Sequence, residues 1–280
     1  MTVLEVLQST SAYFKKREIE SPRLNAEHLL AHVLGRKRIE LYLDFERALL
    51  ETELAPLREL VRRRGQGEPL QHLLGTVEFC GRVFVCDKRA LIPRPETEEL
   101  VELLIGECKS RDADLRILDV GTGSGVIALS LAGALPKAEV HGVDISEEAL
   151  ALARENAVRV GLTDRVEFLR SDLMTSVTHV YDLIVANLPY VPTTERATLA
   201  REVLHDPELA VFGGEKGDEI IRRLITQAPE HLTPGGLLAL EIGIGQGDAL
   251  SAIFAERNYH DISQRHDSAG VTRFLLARYG

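Results

Sequence analysis

From Leu115 onward the chain alternates short apolar runs with amphipathic stretches, and this alternation limits the possible folds more than any other feature. Candidate strands lie at 116–120, 139–144, 166–169, 182–187 and 237–242, with helical stretches such as 147–160 and 218–228 between them. Strands separated by crossover helices pair in parallel, so the pattern predicts a doubly wound sheet with helices on both faces. Two more strand-like runs, 261–266 and 272–277, are separated only by a short turn containing Ser268-Ala269-Gly270. A connection that short permits only an antiparallel pair. The expected sheet is therefore seven-stranded and mostly parallel, with an antiparallel last strand.

The chain before this region has a different period. Val3, Val6, Leu7, Thr10, Tyr13 and Phe14 recur at helical spacing. Ser21-Pro22 reads as an N-cap followed by proline at the first helical position, with Gly35 as a stop. A short helix is expected around 39–45, and another carrying Leu54, Leu57, Leu60 and Val61 ends at Gly65. These elements predict a small helical bundle over residues 1–72. Residues 76–79 and 82–85 flank Cys80-Gly81 and read as a β-hairpin. The hairpin is taken as a linker over 73–92, stiffened at its end by Pro93 and Pro95, and the α/β domain as 93–280.

Composition excludes several classes. The 280 residues carry 33 basic and 43 acidic side chains, a formal charge of −10. That balance disfavours wrapping or stable binding of long nucleic acid, whose phosphates reward clustered Lys and Arg. No apolar run reaches the ~20 residues that span a bilayer. The start Met1-Thr2-Val3-Leu4-Glu5 lacks the features of a signal or transit peptide. Cys80, Cys86 and Cys108 have no metal-binding or disulfide spacing. A cytoplasmic protein with reduced thiols is expected.

Two motifs carry the chemistry. The first is Asp119-Val120-Gly121-Thr122-Gly123-Ser124-Gly125, which leaves a buried strand and opens a helix. Glycines there let a ligand approach the backbone, at the sheet edge where such folds bind ligands. Val126 stands where a dinucleotide fingerprint needs its last glycine, so the loop departs from that pattern. It resembles the first motif of S-adenosylmethionine (AdoMet) methyltransferases. A nucleotide fold that binds NAD, or nothing, is the alternative. The next strand ends at Asp144, followed by Ile145. A carboxylate at that place can accept both ribose hydroxyl hydrogens.

The second motif, Asn187-Leu188-Pro189-Tyr190, ends the fourth candidate strand. It resembles the Asn-Pro-Pro-Tyr motif of amino methyltransferases, with Leu188 in place of the first proline. An amide or exocyclic amine nitrogen is a poor nucleophile, its lone pair being delocalised, and has two N–H donors. The Asn187 side-chain oxygen can accept one and the carbonyl of Leu188 the other, which aims the nitrogen at a methyl donor. Pro189 stiffens the turn and Tyr190 offers a flat wall. A plain strand-ending turn is the alternative.

With both motifs in hand, the chain resembles the peptide-chain release factor N5-glutamine methyltransferases. Residues 91–98, 205–214, 232–243 and 267–270 resemble further family segments, so the likeness spans nearly the whole chain. It implies a Rossmann-like AdoMet methyltransferase fold behind a helical domain that docks the substrate. It implies methyl transfer from AdoMet, leaving S-adenosylhomocysteine and using no metal, to the glutamine of the Gly-Gly-Gln motif of class I release factors. Carried over by position, it assigns Gly121, Thr122, Gly123, Ser124 and Gly125 to the methionine part of AdoMet. Asp144 then takes the ribose, Asp172 and Leu173 flank the adenine, Ile145 and Asn187 also contact the cofactor, and Asn187 to Tyr190 hold the target glutamine. With Leu173 there and no Trp in the chain, adenine would pack on an aliphatic surface.

Other signals have plainer readings. His28 and His32 are one helical turn apart without a third ligand, and read as part of an amphipathic helix. Lys15-Lys16-Arg17 and Arg62-Arg63-Arg64 read as solvated helix ends. Asp206 and Glu208 read as loop-structuring acids, since the amide proton can leave after transfer without a strong base. A monomer is expected. Two rivals remain: a DNA adenine-N6 or other amino methyltransferase, and a non-catalytic partner-binding protein that keeps the fold.

Overall fold

The computed structural model describes residues 1–109 and 114–280, which form two compact units. One comprises Met1–Thr76 with Ala200–His205, the other Val77–Leu199 with Asp206–Gly280.

The first unit is helical: α1 (Val3–Lys16), α2 (Pro22–Leu34), α3 (Arg38–Leu41), α4 (Glu51–Gly65) and α5 (Leu70–Leu74). Thr2 and Glu5 close a capping box on α1. Val3, Val6, Leu7 and Phe14 pack with Leu29, Leu30 and Leu57 in its core. Pro22 opens α2 as expected, but Ser21 is left-handed and its side chain makes no cap. The Asn25 side chain instead donates to the Glu20 and Ser21 carbonyls. The short helix covers 38–41 rather than 39–45.

The arginine run also departs from expectation. Arg62 and Arg63 pair with Glu59 and Glu68 at the surface. Arg64 is only 2% exposed. It donates to the Asn25 side chain, the Glu68 carbonyl and Glu202, which draws residues 200–205 into this unit. The run reads as one solvated helix end only when the inward-facing position of the third residue is ignored.

The second unit opens with the hairpin β1 (Thr76–Phe79) and β2 (Arg82–Val85) and continues with α6 (Pro95–Lys109). Phe79 and Phe84 are buried with α6 and the following helix. Then come β3 (Arg116–Val120), α7 (Val126–Ala134), β4 (Glu139–Asp144), α8 (Glu147–Arg159), β5 (Val166–Arg170) and β6 (Tyr181–Asn187). After β7 (Val191–Pro192), α9 (Glu208–Val211) and β8 (Phe212–Gly214), the chain forms α10 (Glu219–Gln227), β9 (Leu232–Glu241), α11 (Gly247–Ala255), β10 (Tyr259–His266) and β11 (Thr272–Tyr279).

The main sheet has the order β10-β11-β9-β6-β3-β4-β5. Strands β9, β6, β3, β4 and β5 are parallel, and β11 runs antiparallel to both its neighbours. This is the seven-stranded, mostly parallel arrangement that the alternation predicts. Strand β9 starts at Leu232, five residues before the expected position. Pro234 and Gly235 mark an irregularity in its pairing with β6 rather than a boundary.

Side-chain alternation divides two cores. Leu183, Val185 and Ala239 face the core under α6 and α7. Ile184, Ala186, Leu188, Leu238 and Leu240 face the core under α10 and α11. Among the described residues no helix is long and apolar enough to cross a membrane.

Candidate active site

The carboxyl ends of β3, β4 and β6 are where both sequence motifs leave the sheet. The glycine loop follows β3 directly. Gly121 and Gly123 have φ of +73° and +55°, conformations that cost L side chains strain. A Cβ on Gly121 would lie 2.8 Å from Leu188 Cδ2. The two motifs therefore touch: the bare Cα of one accommodates the side chain of the other. Leu188 is 5% exposed and belongs to the core beneath the sheet. Burial holds the turn at the position where the related motif has a proline.

Asp144 ends β4 and braces the glycine loop. Its Oδ2 accepts from the Gly123 N–H at 2.9 Å and its Oδ1 from the Ser146 N–H at 2.9 Å. Burial raises its pKa, and those backbone donors oppose the rise. Under the loop, Asp119 is fully buried. Its Oδ2 accepts from Thr122 Oγ1 at 2.6 Å and the Ala128 N–H at 3.2 Å, while Oδ1 has no hydrogen-bond partner among the described residues. Loss of hydration pushes its pKa up to about 7. Leu173, after β5, is buried with φ +50°. Its neighbour Asp172 pairs with Arg223 at 2.9 Å.

Asn187 ends β6 and is in register with Glu241 at the end of β9. Neighbouring residues on parallel strands present their side chains to one face, here the face covered by α6. Thr97 of α6 completes the set. Asn187 Nδ2 donates to Thr97 Oγ1 at 3.0 Å, and Thr97 Oγ1 donates to Glu241 Oε2 at 2.7 Å. The Tyr190 hydroxyl donates to Glu241 Oε1 at 3.3 Å. Glu241 is 1% exposed, and burial raises its pKa.

The turn is also supported by backbone. Strand β7 pairs with β8, Val191 with Phe212 and Pro192 with Gly214. A Cβ on Gly213 would come within 2.3 Å of the Pro189 carbonyl oxygen, and one on Gly217 within 2.5 Å of the Tyr190 carbonyl oxygen. Gln246 Nε2 donates to that Tyr190 carbonyl at 3.0 Å. Asp206 is buried, accepting from the Ile92 N–H at 3.2 Å and Arg94 at 2.8 Å. Glu208 pairs with Arg196 at the surface.

A cavity of about 370 Å³ joins these pieces. Its lining includes Gly121, Thr122, Gly123, Ser124, Asp144 and Ile145 from the first half. Asp172, Leu173, Asn187, Leu188 and Pro189 complete the anticipated set, and Thr97 and Arg94 join it.

Residues 5–75 match the family model described as the PrmC N-terminal domain, and residues 96–210 the methyltransferase small domain. A release factor glutamine methyltransferase of Geobacter sulfurreducens is 41% identical over 281 residues, covering 100% of this chain and 97% of its own length. The chain belongs to the release factor glutamine methyltransferase family. A second relative, from Deinococcus radiodurans, is 40% identical over 278 residues and covered to 99% on both sides. A T. thermophilus 16S rRNA methyltransferase, solved in complex with AdoMet and guanosine, has a TM-score of 0.53 at 19% identity. It aligns over 73% of this chain and 50% of its own, a likeness of fold.

Two positions carried over from the family motifs lie elsewhere than expected. Gly125 is not among the residues lining the cavity. Its φ is +81°, and a Cβ there would sit 3.0 Å from Ala153 Cβ, so it serves the packing of α7 on α8. Tyr190 is not among them either; its hydroxyl turns to Glu241. The flat wall expected of it is absent from the lining. Thr97 and Glu241 escaped the reading of the sequence as site residues. The available signal was Glu241 itself, a carboxylate closing the apolar run Leu237-Leu238-Ala239-Leu240. Such a residue is seldom fully buried unless partnered.

Proposed function

We propose that this chain transfers a methyl group from AdoMet to the side-chain amide nitrogen of the glutamine in the Gly-Gly-Gln motif of class I release factors. The observation carrying this reading is the direct contact of Leu188 with Gly121, which sets the acceptor turn against the cofactor loop in one cavity.

The residues present suit AdoMet. Gly121 and Gly123 line the cavity with bare backbone that a ligand can approach closely. The buried Asp119 lies behind the loop, where its ionised form favours a cationic ligand. Asp144 is the acceptor for the ribose hydroxyls, and Ile145 and Leu173 offer apolar surface for the adenine, with Asp172 beside it. When bound, AdoMet supplies an electrophilic sulfonium methyl and leaves as S-adenosylhomocysteine.

The chain's own work is orientation. Asn187 Oδ1 accepts no hydrogen bond from the described residues and is available to one N–H of the substrate amide. The carbonyl of Leu188 takes the other. Holding both hydrogens fixes the plane of the amide, and alignment of that kind supplies much of an enzymatic rate enhancement. The helical unit is the docking module for the release factor, and the enzyme works in the cytoplasm as a monomer without stable nucleic-acid contacts.

Mass spectrometry of a digested release factor after incubation with enzyme and AdoMet tests this directly. One added methyl on the Gly-Gly-Gln glutamine is expected. Asn187→Ala should abolish it while calorimetry shows AdoMet affinity largely retained. An unmodified glutamine with wild-type enzyme, or full methylation by the variant, refutes the respective assignment.

A further inference from the structure

We propose that Glu241 and Thr97 are positioning residues that fix which way round the Asn187 amide stands. The inference rests on the reading of Asn187 as the group that receives the acceptor amide.

An asparagine amide is nearly symmetric in shape. Rotating it by half a turn exchanges Oδ1 and Nδ2 without changing its packing, so shape cannot choose between the two states. For this reaction the choice matters. Oδ1 toward the acceptor receives an N–H; Nδ2 in the same place would oppose two donors.

Polarity makes the choice in three steps. Ionised Glu241 can only accept. With Thr97 Oγ1 2.7 Å from Glu241 Oε2, the single hydroxyl hydrogen of Thr97 is therefore committed to the carboxylate. The Thr97 oxygen then has only lone pairs left for Asn187, 3.0 Å away, so Asn187 must present Nδ2 to it. The flipped amide would set oxygen against oxygen with no hydrogen between them. Thr97 and Glu241 are buried, 3% and 1% exposed, so the oxygen-to-oxygen contact of the flipped amide would form where water has little access. Tyr190 adds its hydroxyl to the same carboxylate, so Glu241 ties down both ends of the Asn-Leu-Pro-Tyr turn.

The fold puts these groups together without a special loop. Asn187 and Glu241 are register partners on adjacent parallel strands, and Thr97 sits in the first turn of the helix that covers their face. The charged groups acting on Glu241 are Glu96 of α6, which repels it, and Arg273 of β11, which attracts it and also pairs with Asp267. A protonated Glu241 could donate to Thr97, freeing the Thr97 hydrogen for Asn187 Oδ1 and reversing the relay. Turnover should thus fall at acid pH, through a midpoint above that of an ordinary glutamate, since burial raises the Glu241 pKa.

The test compares full-length wild-type enzyme with Thr97→Val, Thr97→Ser, Glu241→Gln and Asn187→Ala, acting on a whole release factor. Thr97→Val keeps the shape and removes the hydroxyl. Its kcat should fall about 10- to 100-fold, with AdoMet Kd within about twofold of wild type. Thr97→Ser, which keeps the hydroxyl, should stay within about threefold in kcat. Glu241→Gln can donate as well as accept. It should lower kcat and remove the acid limb of the pH profile, and it serves as the second probe should the valine variant unfold. Wild-type kcat in both Thr97→Val and Glu241→Gln, beside an inactive Asn187→Ala, overturns the relay alone. So does a serine variant as impaired as the valine one, or a loss confined to AdoMet affinity. Wild-type turnover by Asn187→Ala overturns the underlying reading of Asn187 instead.

Discussion

At the scale of single residues, the cofactor loop separates a glycine that packs on the acceptor turn from one that packs on a helix. Gly121 and Gly125 both have positive φ, where a Cβ costs on the order of 1 kcal/mol. Their surroundings differ. Gly121→Ala would press on Leu188, so AdoMet affinity measured by calorimetry should drop along with thermal stability. Gly125→Ala would press on Ala153 and Phe168, and its cost should appear in the melting temperature first. Leu188 gives a third prediction. Truncating this buried side chain to alanine should cost about 2–4 kcal/mol in denaturant unfolding, since the cavity left behind lies under both motifs.

At the scale of elements, a glycine-rich loop supports the acceptor turn. Gly213 and Gly217 bring one backbone against another, and Gln246 fastens the far side. Gly213→Ala would place a methyl 2.1 Å from the Gly217 carbonyl oxygen, so the turn must shift. We expect kcat to fall at least about 10-fold, a displacement of roughly an ångström being enough to cost that much, with AdoMet Kd little changed. Unaltered single-turnover rates would show that the turn does not need this support. This layer also shows where sequence reading stops. Strands such as 116–120 and 139–144 were legible because their apolar residues form continuous runs, and the glycine loop because its spacing is local. Thr97 and Glu241 are 144 positions apart and meet only through sheet register and helix placement. The close approach at Gly213 leaves nothing in the sequence but a glycine pair, and Arg64 differs from its two neighbours only in the direction it faces.

At the scale of the whole molecule, a buried acid sets a pH dependence. Asp119 has an ordinary value of 3.8 and a native one of about 7. Between those values the unfolded chain has released the proton that the folded chain keeps. Folding is then linked to proton uptake, and the Asp119 contribution to stability declines as pH rises from about 4 to 7. Asp119→Asn should flatten that decline in the melting temperature of the ligand-free protein; an unchanged slope would show that Asp119 does not titrate there. Chain connectivity has a separate consequence. The helical unit is built from residues 1–76 together with 200–205, which Arg64 holds through Glu202. During synthesis the first unit to emerge is therefore the one that waits. Its last strip reaches it only after four of the seven main-sheet strands have been made, and until then Arg64 lacks its Glu202 partner. The order of translation and the order of completion are inverted, so a nascent chain halted before residue 200 should carry a more protease-sensitive amino-terminal unit than the finished protein.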